Sequence, residues 1–70
     1  MNRESPNNNL LQEAKKLHQE GSLIEAESLY SQLIQQSPHQ AEVWLLLSLV
    51  RFQRGDLETA ISCLQKALVL

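Results

Sequence analysis

The sequence predicts an all-α protein built from two antiparallel helix-turn-helix hairpins in tandem. Apolar residues recur every three or four positions in four separate segments, and no segment alternates apolar and polar residues as a strand does. A glycine follows the first and third segments, and a proline closes the second. The links within each pair of segments are only one or two residues long, which forces antiparallel neighbours.

Composition argues against nucleic acid and membranes as partners. The chain has 70 residues and a formal net charge of −2, and its basic residues form no cluster larger than a pair. The longest nearly apolar run, residues 43–50, is far shorter than the ~20 residues that cross a bilayer. Cys63 is the only cysteine, so no internal disulfide is expected. We expect a cytoplasmic protein.

The first hairpin is predicted over residues 8–40. Residues 1–7 are predicted to be a disordered arm, because Pro6 and the asparagines around it oppose an earlier helix start. The first helix is expected at roughly residues 9–20, and Gly21 ends it.

Ser22 and Glu25 have the spacing of a capping box and are predicted to start the second helix with two side-chain hydrogen bonds. This helix is expected to end before Pro38, because the residue preceding a proline avoids helical angles. Its apolar stripe consists of Leu23, Ala26, Tyr30, Leu33 and Ile34.

The second hairpin is predicted over residues 41–70. Its first helix, roughly Ala41 to Arg54, is apolar nearly all round, which indicates burial on several sides. Gly55 ends that helix, and Asp56 is a suitable N-cap for the next. We expect Trp44, Leu47 and Ser48 on one face of the helix, Leu45, Leu49 and Phe52 on another, and Leu46 and Val50 between them.

The two hairpins are related by an internal repeat. Gly21 and Gly55 are 34 residues apart, and at this spacing Ala26 pairs with Ala60. A spacing of 34 residues is the period of one class of helix-turn-helix repeat. Both glycines fall at a turn, and both alanines fall where the helices cross closely.

Residues 41–70 resemble a tetratricopeptide repeat, and residues 8–40 resemble a weaker copy. The resemblance implies the start of a right-handed α-solenoid, with the second repeat truncated at its end. The repeat signature is carried by Gly21, Ala26, Tyr30, Pro38, Trp44, Leu47, Gly55, Ala60, Leu64 and Ala67.

Two of the departures from the family pattern are charged residues. Arg51 stands where the family prefers a tyrosine, and we expect its stem to pack while its charged head reaches solvent. Glu13 stands where the first copy should have a leucine, which suits an outer, solvent-facing first helix.

No arrangement of residues in the sequence predicts catalysis or a bound cofactor. Cys63, His18 and His39 are scattered, whereas a nucleophilic pair needs both groups within hydrogen-bond reach. One cysteine and two histidines are too few ligands for a zinc site. We therefore expect no catalytic residue, no metal and no cofactor, and not an enzyme by itself.

The resemblance implies a concave face, lined by the first helix of each hairpin, that binds a peptide or helix. The apolar members of this candidate face on the second hairpin are spaced four and three apart, so they point the same way. An equal alternative is that these residues are simply buried, under a third repeat, the arm or another copy of the chain. The candidate face consists of Leu11, Lys15, His18, Leu45, Leu49 and Phe52.

The sequence thus favours a protein-interaction scaffold, whose partner is a protein, a peptide or further repeats of its own chain. One alternative is the N-terminal array of a larger bacterial enzyme, such as a glycosyltransferase, sulfotransferase or methyltransferase, in which the repeats position the substrate. Another is a small module that self-associates through the apolar residues of its last helix, Leu64, Leu68 and Leu70.

Overall fold

Four α-helices make up the part of the chain that the computed structural model describes, residues 6–70, with side chains from residue 9. The helices are α1 (Pro6–Gln19), α2 (Leu23–Gln36), α3 (Ala41–Gln53) and α4 (Leu57–Val69). Each helix packs against the next in the chain, so two hairpins, α1–α2 and α3–α4, meet through α2 and α3. No strand occurs in residues 6–70. The predicted all-α fold of two helical hairpins is confirmed.

Helix α1 begins at Pro6, earlier than the start near residue 9 that the sequence suggested. A proline fits the first turn of a helix because its φ angle is already helical and its nitrogen has no hydrogen to leave unpaired. Residues 6 and 7 of the predicted arm are therefore helical. Residues 1–5 of that arm lie outside the described residues.

Both hairpins turn at a glycine in the left-handed region of backbone space. Gly21 has φ +85° and Gly55 has φ +82°. The N–H of Ser22 donates to the carbonyl of Leu17 at 2.9 Å, and the N–H of Asp56 donates to that of Arg51 at 2.9 Å. These bonds pair the last carbonyls of α1 and α3 in the Schellman arrangement, which favours glycine because other residues are strained at such φ angles.

The predicted capping box at the start of α2 was wrong. Ser22 is the N-cap residue, but its side chain makes no capping hydrogen bond. In a capping box, the glutamate accepts from the backbone N–H of the N-cap residue. That N–H is already bonded to Leu17 in the preceding turn, so Glu25 has no donor to cap. Asp56 likewise occupies the N-cap of α4 without a side-chain capping bond.

The core lies where α3 meets the first hairpin. Val43, Leu47 and Val50 are the apolar side chains of α3 that are almost completely buried. Trp44 was expected beside Leu47, but its side chain is only half-buried, and its Nε1 donates to the carbonyl of Pro38 at 2.8 Å. A helix that is apolar all round does not reveal from its sequence which side is covered. The buried cluster contains Ala14, Ala26, Tyr30, Leu33, Val43, Leu47, Val50 and Cys63.

Candidate functional site

An open apolar groove runs between α3 and α4. It has a volume of about 450 Å³, and none of its lining residues carries a charge. On α3, Leu45 is 42% exposed, Leu49 46% and Phe52 64%. Large apolar side chains left exposed together mark a contact surface. This α3–α4 groove is lined by Leu45, Ser48, Leu49, Phe52, Ala60, Ile61 and Leu64.

The internal repeat shows what covers the same surface on the first hairpin. Each lining residue of the groove has a counterpart 34 positions earlier in the chain. On the first hairpin these counterparts are buried, packed against the core or bonded, and the bonded ones contact α3. They are Leu11, Ala14, Lys15, His18, Ala26, Glu27 and Tyr30.

Lys15, the counterpart of Leu49, forms an ion pair with α3. Its Nζ lies 3.1 Å from Oε2 of Glu42. Both side chains are partly exposed, so the pair contributes at most about 1 kcal/mol to stability. The contact therefore serves mainly to match charges across the interface between the hairpins.

His18, the counterpart of Phe52, joins all three elements at this interface. Its Nε2 lies 2.7 Å from Oε1 of Gln53 on α3, and its Nδ1 lies 3.2 Å from the Tyr30 hydroxyl on α2. With the proton on Nε2, the ring donates to Gln53 and accepts from Tyr30. The rings of His18 and Tyr30 also meet edge to face, with their centroids 6.0 Å apart. The predicted partner-binding histidine is thus occupied within the chain.

Glu27, the counterpart of Ile61, accepts from two arginines. Arg51 Nε donates to its Oε2 at 2.9 Å, and Arg54 donates to its Oε1. The head of Arg51 also lies 3.4 Å from Sγ of Cys63. The expectation that the Arg51 head reaches solvent was wrong, because the carboxylate of α2 lies within its reach.

Cys63 has the environment of a packing residue. It is buried, and burial raises the pKa of its thiol above the usual value, with Arg51 opposing part of that rise. A buried thiol with a raised pKa remains protonated near neutral pH, and the thiol is a much weaker nucleophile than the thiolate.

The six predicted partner-binding residues fall into two groups. Leu45, Leu49 and Phe52 line the α3–α4 groove. Lys15 and His18 bind side chains of α3, and Leu11 packs against the core. The structure therefore does not bring the six together as one open face.

Helix α4 supplies groove residues that the sequence analysis did not place on the candidate face. Ala60 and Leu64 were predicted as parts of the repeat signature, and Leu64 also as a self-association residue, whereas Ile61 was assigned no role. A signal for Ile61 exists in the sequence, because its counterpart Glu27 is charged. An apolar residue in place of a charged one, at equivalent positions of a repeat, points to a change in what covers that surface.

Among the described residues, no group of three or more histidine, cysteine, aspartate or glutamate side chains could hold a metal ion. None of the four helices has the length and apolar character needed to cross a bilayer.

The family model of the tetratricopeptide repeat matches residues 17–68, which is most of the chain. The chain belongs to the tetratricopeptide repeat family. The match extends from the last turn of α1 almost to the end of α4, so it includes every residue of the groove. Tetratricopeptide repeats are generally protein-interaction modules and are typically non-catalytic. Neither a curated protein nor a solved structure matches the chain.

Proposed function

We propose that this tetratricopeptide repeat chain binds a partner protein in its α3–α4 groove. The observation that carries the proposal is the contrast between equivalent surfaces of the two hairpins. On the first hairpin α3 occupies this surface, whereas on the second the large lining side chains are apolar and exposed. Covering Leu45, Leu49 and Phe52 removes apolar area from water, at roughly 25 cal/mol per Å².

Binding at this groove needs no covalent chemistry. The wall and floor are aliphatic and aromatic side chains, and the small residues Ser48 and Ala60 let a partner approach closely. The Ser48 hydroxyl donates to the carbonyl of Leu45 at 2.6 Å, so it does not need a partner's acceptor. The proposed mechanism is therefore shape complementarity with apolar anchors.

Leu49→Glu is expected to abolish partner capture while helical content stays near that of the wild type. The leucine is half exposed, so a glutamate there reaches water in the free chain but is desolvated in the complex. Tagged chains are incubated with extract of the source cells, and the captured proteins are quantified by mass spectrometry. A captured protein is then purified, and its Kd is measured by calorimetry.

Ile24→Glu is the matched control, because Ile24 is a 68% exposed aliphatic residue on α2 outside the groove. We expect it to bind the purified partner like the wild type, and Leu49→Glu to weaken binding by roughly a hundredfold or more. Equal binding by all three chains contradicts the proposal. Loss of helical content in Leu49→Glu also contradicts it, because Leu49 then belongs to the core.

A further inference from the structure

We infer that the partner inserts an amphipathic helix into the α3–α4 groove, in the position that α3 takes on the first hairpin. The contact face of this helix carries no charge, either at its centre or along its two flanks. The inference rests on the proposed function and names the class of partner. Its basis is the difference in charge between two equivalent grooves of one chain.

The equivalent groove of the first hairpin, between α1 and α2, has side chains that pair with the charged and polar flanks of α3. Lys15 pairs with Glu42, His18 bonds to Gln53, and Glu27 binds Arg51 and Arg54. The centre of the contact is apolar, through Val43, Leu47 and Val50. A helix that fills the first groove therefore has an apolar centre and polar flanks.

The second groove has an apolar residue at every one of these flank positions. Leu49 replaces Lys15, Phe52 replaces His18 and Ile61 replaces Glu27. A charged flank on the docking helix would be desolvated there without a counter-charge, which costs more than it gains. The groove therefore selects a helix that is apolar at the flank positions of α3, which are Glu42, Arg51, Gln53 and Arg54.

A second copy of the chain is a poor occupant when it docks through α1. Asn9, Glu13 and Lys16 of α1 are the counterparts of Val43, Leu47 and Val50, and all three are exposed. Head-to-tail stacking would press an amide and two charges against the apolar floor of the groove. The polar outer face of α1 thus disfavours an open chain of copies.

Two synthetic helices test the inference. Both consist of residues 41–54. Leu45→Lys and Leu49→Glu introduce two side chains that are joined by a lactam, which fixes the helix. Phe52→Lys improves solubility. The charged-edge peptide keeps the flanks of α3. The apolar-edge peptide adds Glu42→Leu, Arg51→Leu, Gln53→Leu and Arg54→Leu. Binding to the wild-type chain is measured by fluorescence anisotropy of a dye-labelled peptide.

The wild-type chain is expected to bind the apolar-edge peptide roughly tenfold or more tightly than the charged-edge peptide. Ile61→Glu restores the charge found at Glu27 and should reduce this ratio by roughly tenfold, because Arg51 of the charged-edge peptide regains its partner. Ile61 is 56% exposed, so the substitution leaves the fold intact. Helical content of both chains is checked by circular dichroism.

Three results would overturn the inference. In the first, both peptides bind with equal affinity and Leu49→Glu weakens the binding of both. The groove then binds helices but does not select against charge. In the second, neither peptide binds, which rules out a helical partner. The proposed function would still be supported if the chain captured a non-helical partner and Leu49→Glu abolished that capture. A dimer of the wild-type chain in analytical ultracentrifugation, dissociated by Ile61→Glu, makes a second copy the occupant.

Discussion

Val50→Asp is expected to unfold the chain, whereas the same substitution at the adjacent Leu49 leaves it folded. Val50 is 0% exposed in the cluster that joins the two hairpins, and Leu49 lines the open groove. An unpaired carboxylate in the core costs about 3–5 kcal/mol, and the lost burial of the valine adds about 1.5–3 kcal/mol. Chains of this length have a free energy of unfolding of roughly 4–10 kcal/mol.

The measurement is urea unfolding followed by far-ultraviolet circular dichroism. We expect no folded baseline for Val50→Asp and a change within about 1 kcal/mol for Leu49→Asp, as for an exposed position. If the two variants lose the same amount of stability, the division of α3 into a buried and an open face is wrong.

Tyr30→Ala is expected to lower the free energy of unfolding by about 3–5 kcal/mol. Tyr30 is fully buried and contacts the ring of His18. Tyr30→Phe keeps the ring and removes only the hydroxyl that bonds to Nδ1 of His18, so it should cost about 1 kcal/mol. Similar losses for the two variants would show that the hydrogen bond, rather than ring packing, dominates this contact.

The same tyrosine predicts a pH dependence. Burial, and secondarily the charge of Glu42, raises the pKa of Tyr30 above its ordinary value of 10.0. The folded chain thus keeps the phenolic proton to higher pH than the unfolded chain does. This contribution to stability is present below pH 10 and falls as the pH rises above it. The free energy of unfolding should therefore fall less above pH 10 in Tyr30→Phe than in the wild type. Urea unfolding at one pH below 10 and one pH above it measures the difference.

The sequence predicted the helices well because each one carries its own local signals. The regular stripes and the two glycines depend on residues close together in the chain, and the structure has helices and left-handed turns where they fall. The start of α1 and the capping at Ser22 were predicted wrongly. At Ser22 a bond from the preceding turn takes the N–H that the cap would use.

The candidate site was harder to predict, because it depends on which surfaces the hairpins cover. Lys15 and His18 are polar residues on an apparently open helix, and only the docked α3 shows that they bind Glu42 and Gln53. Leu49 and Phe52 occupy the equivalent positions and remain exposed. The repeat pairs these residues in sequence, but the sequence does not show which of the two surfaces has a helix on it.

The most direct test of the groove is to locate a bound helix by NMR. The chain is labelled at its isoleucine and leucine methyl groups and titrated with the apolar-edge peptide. We expect shifts at the groove methyls and none at Leu33 in the core or at Ile24 on the outside of α2. Shifts confined to residues outside the groove, or an unchanged spectrum, would contradict helix binding in the groove. The methyls expected to shift belong to Leu45, Leu49, Ile61 and Leu64.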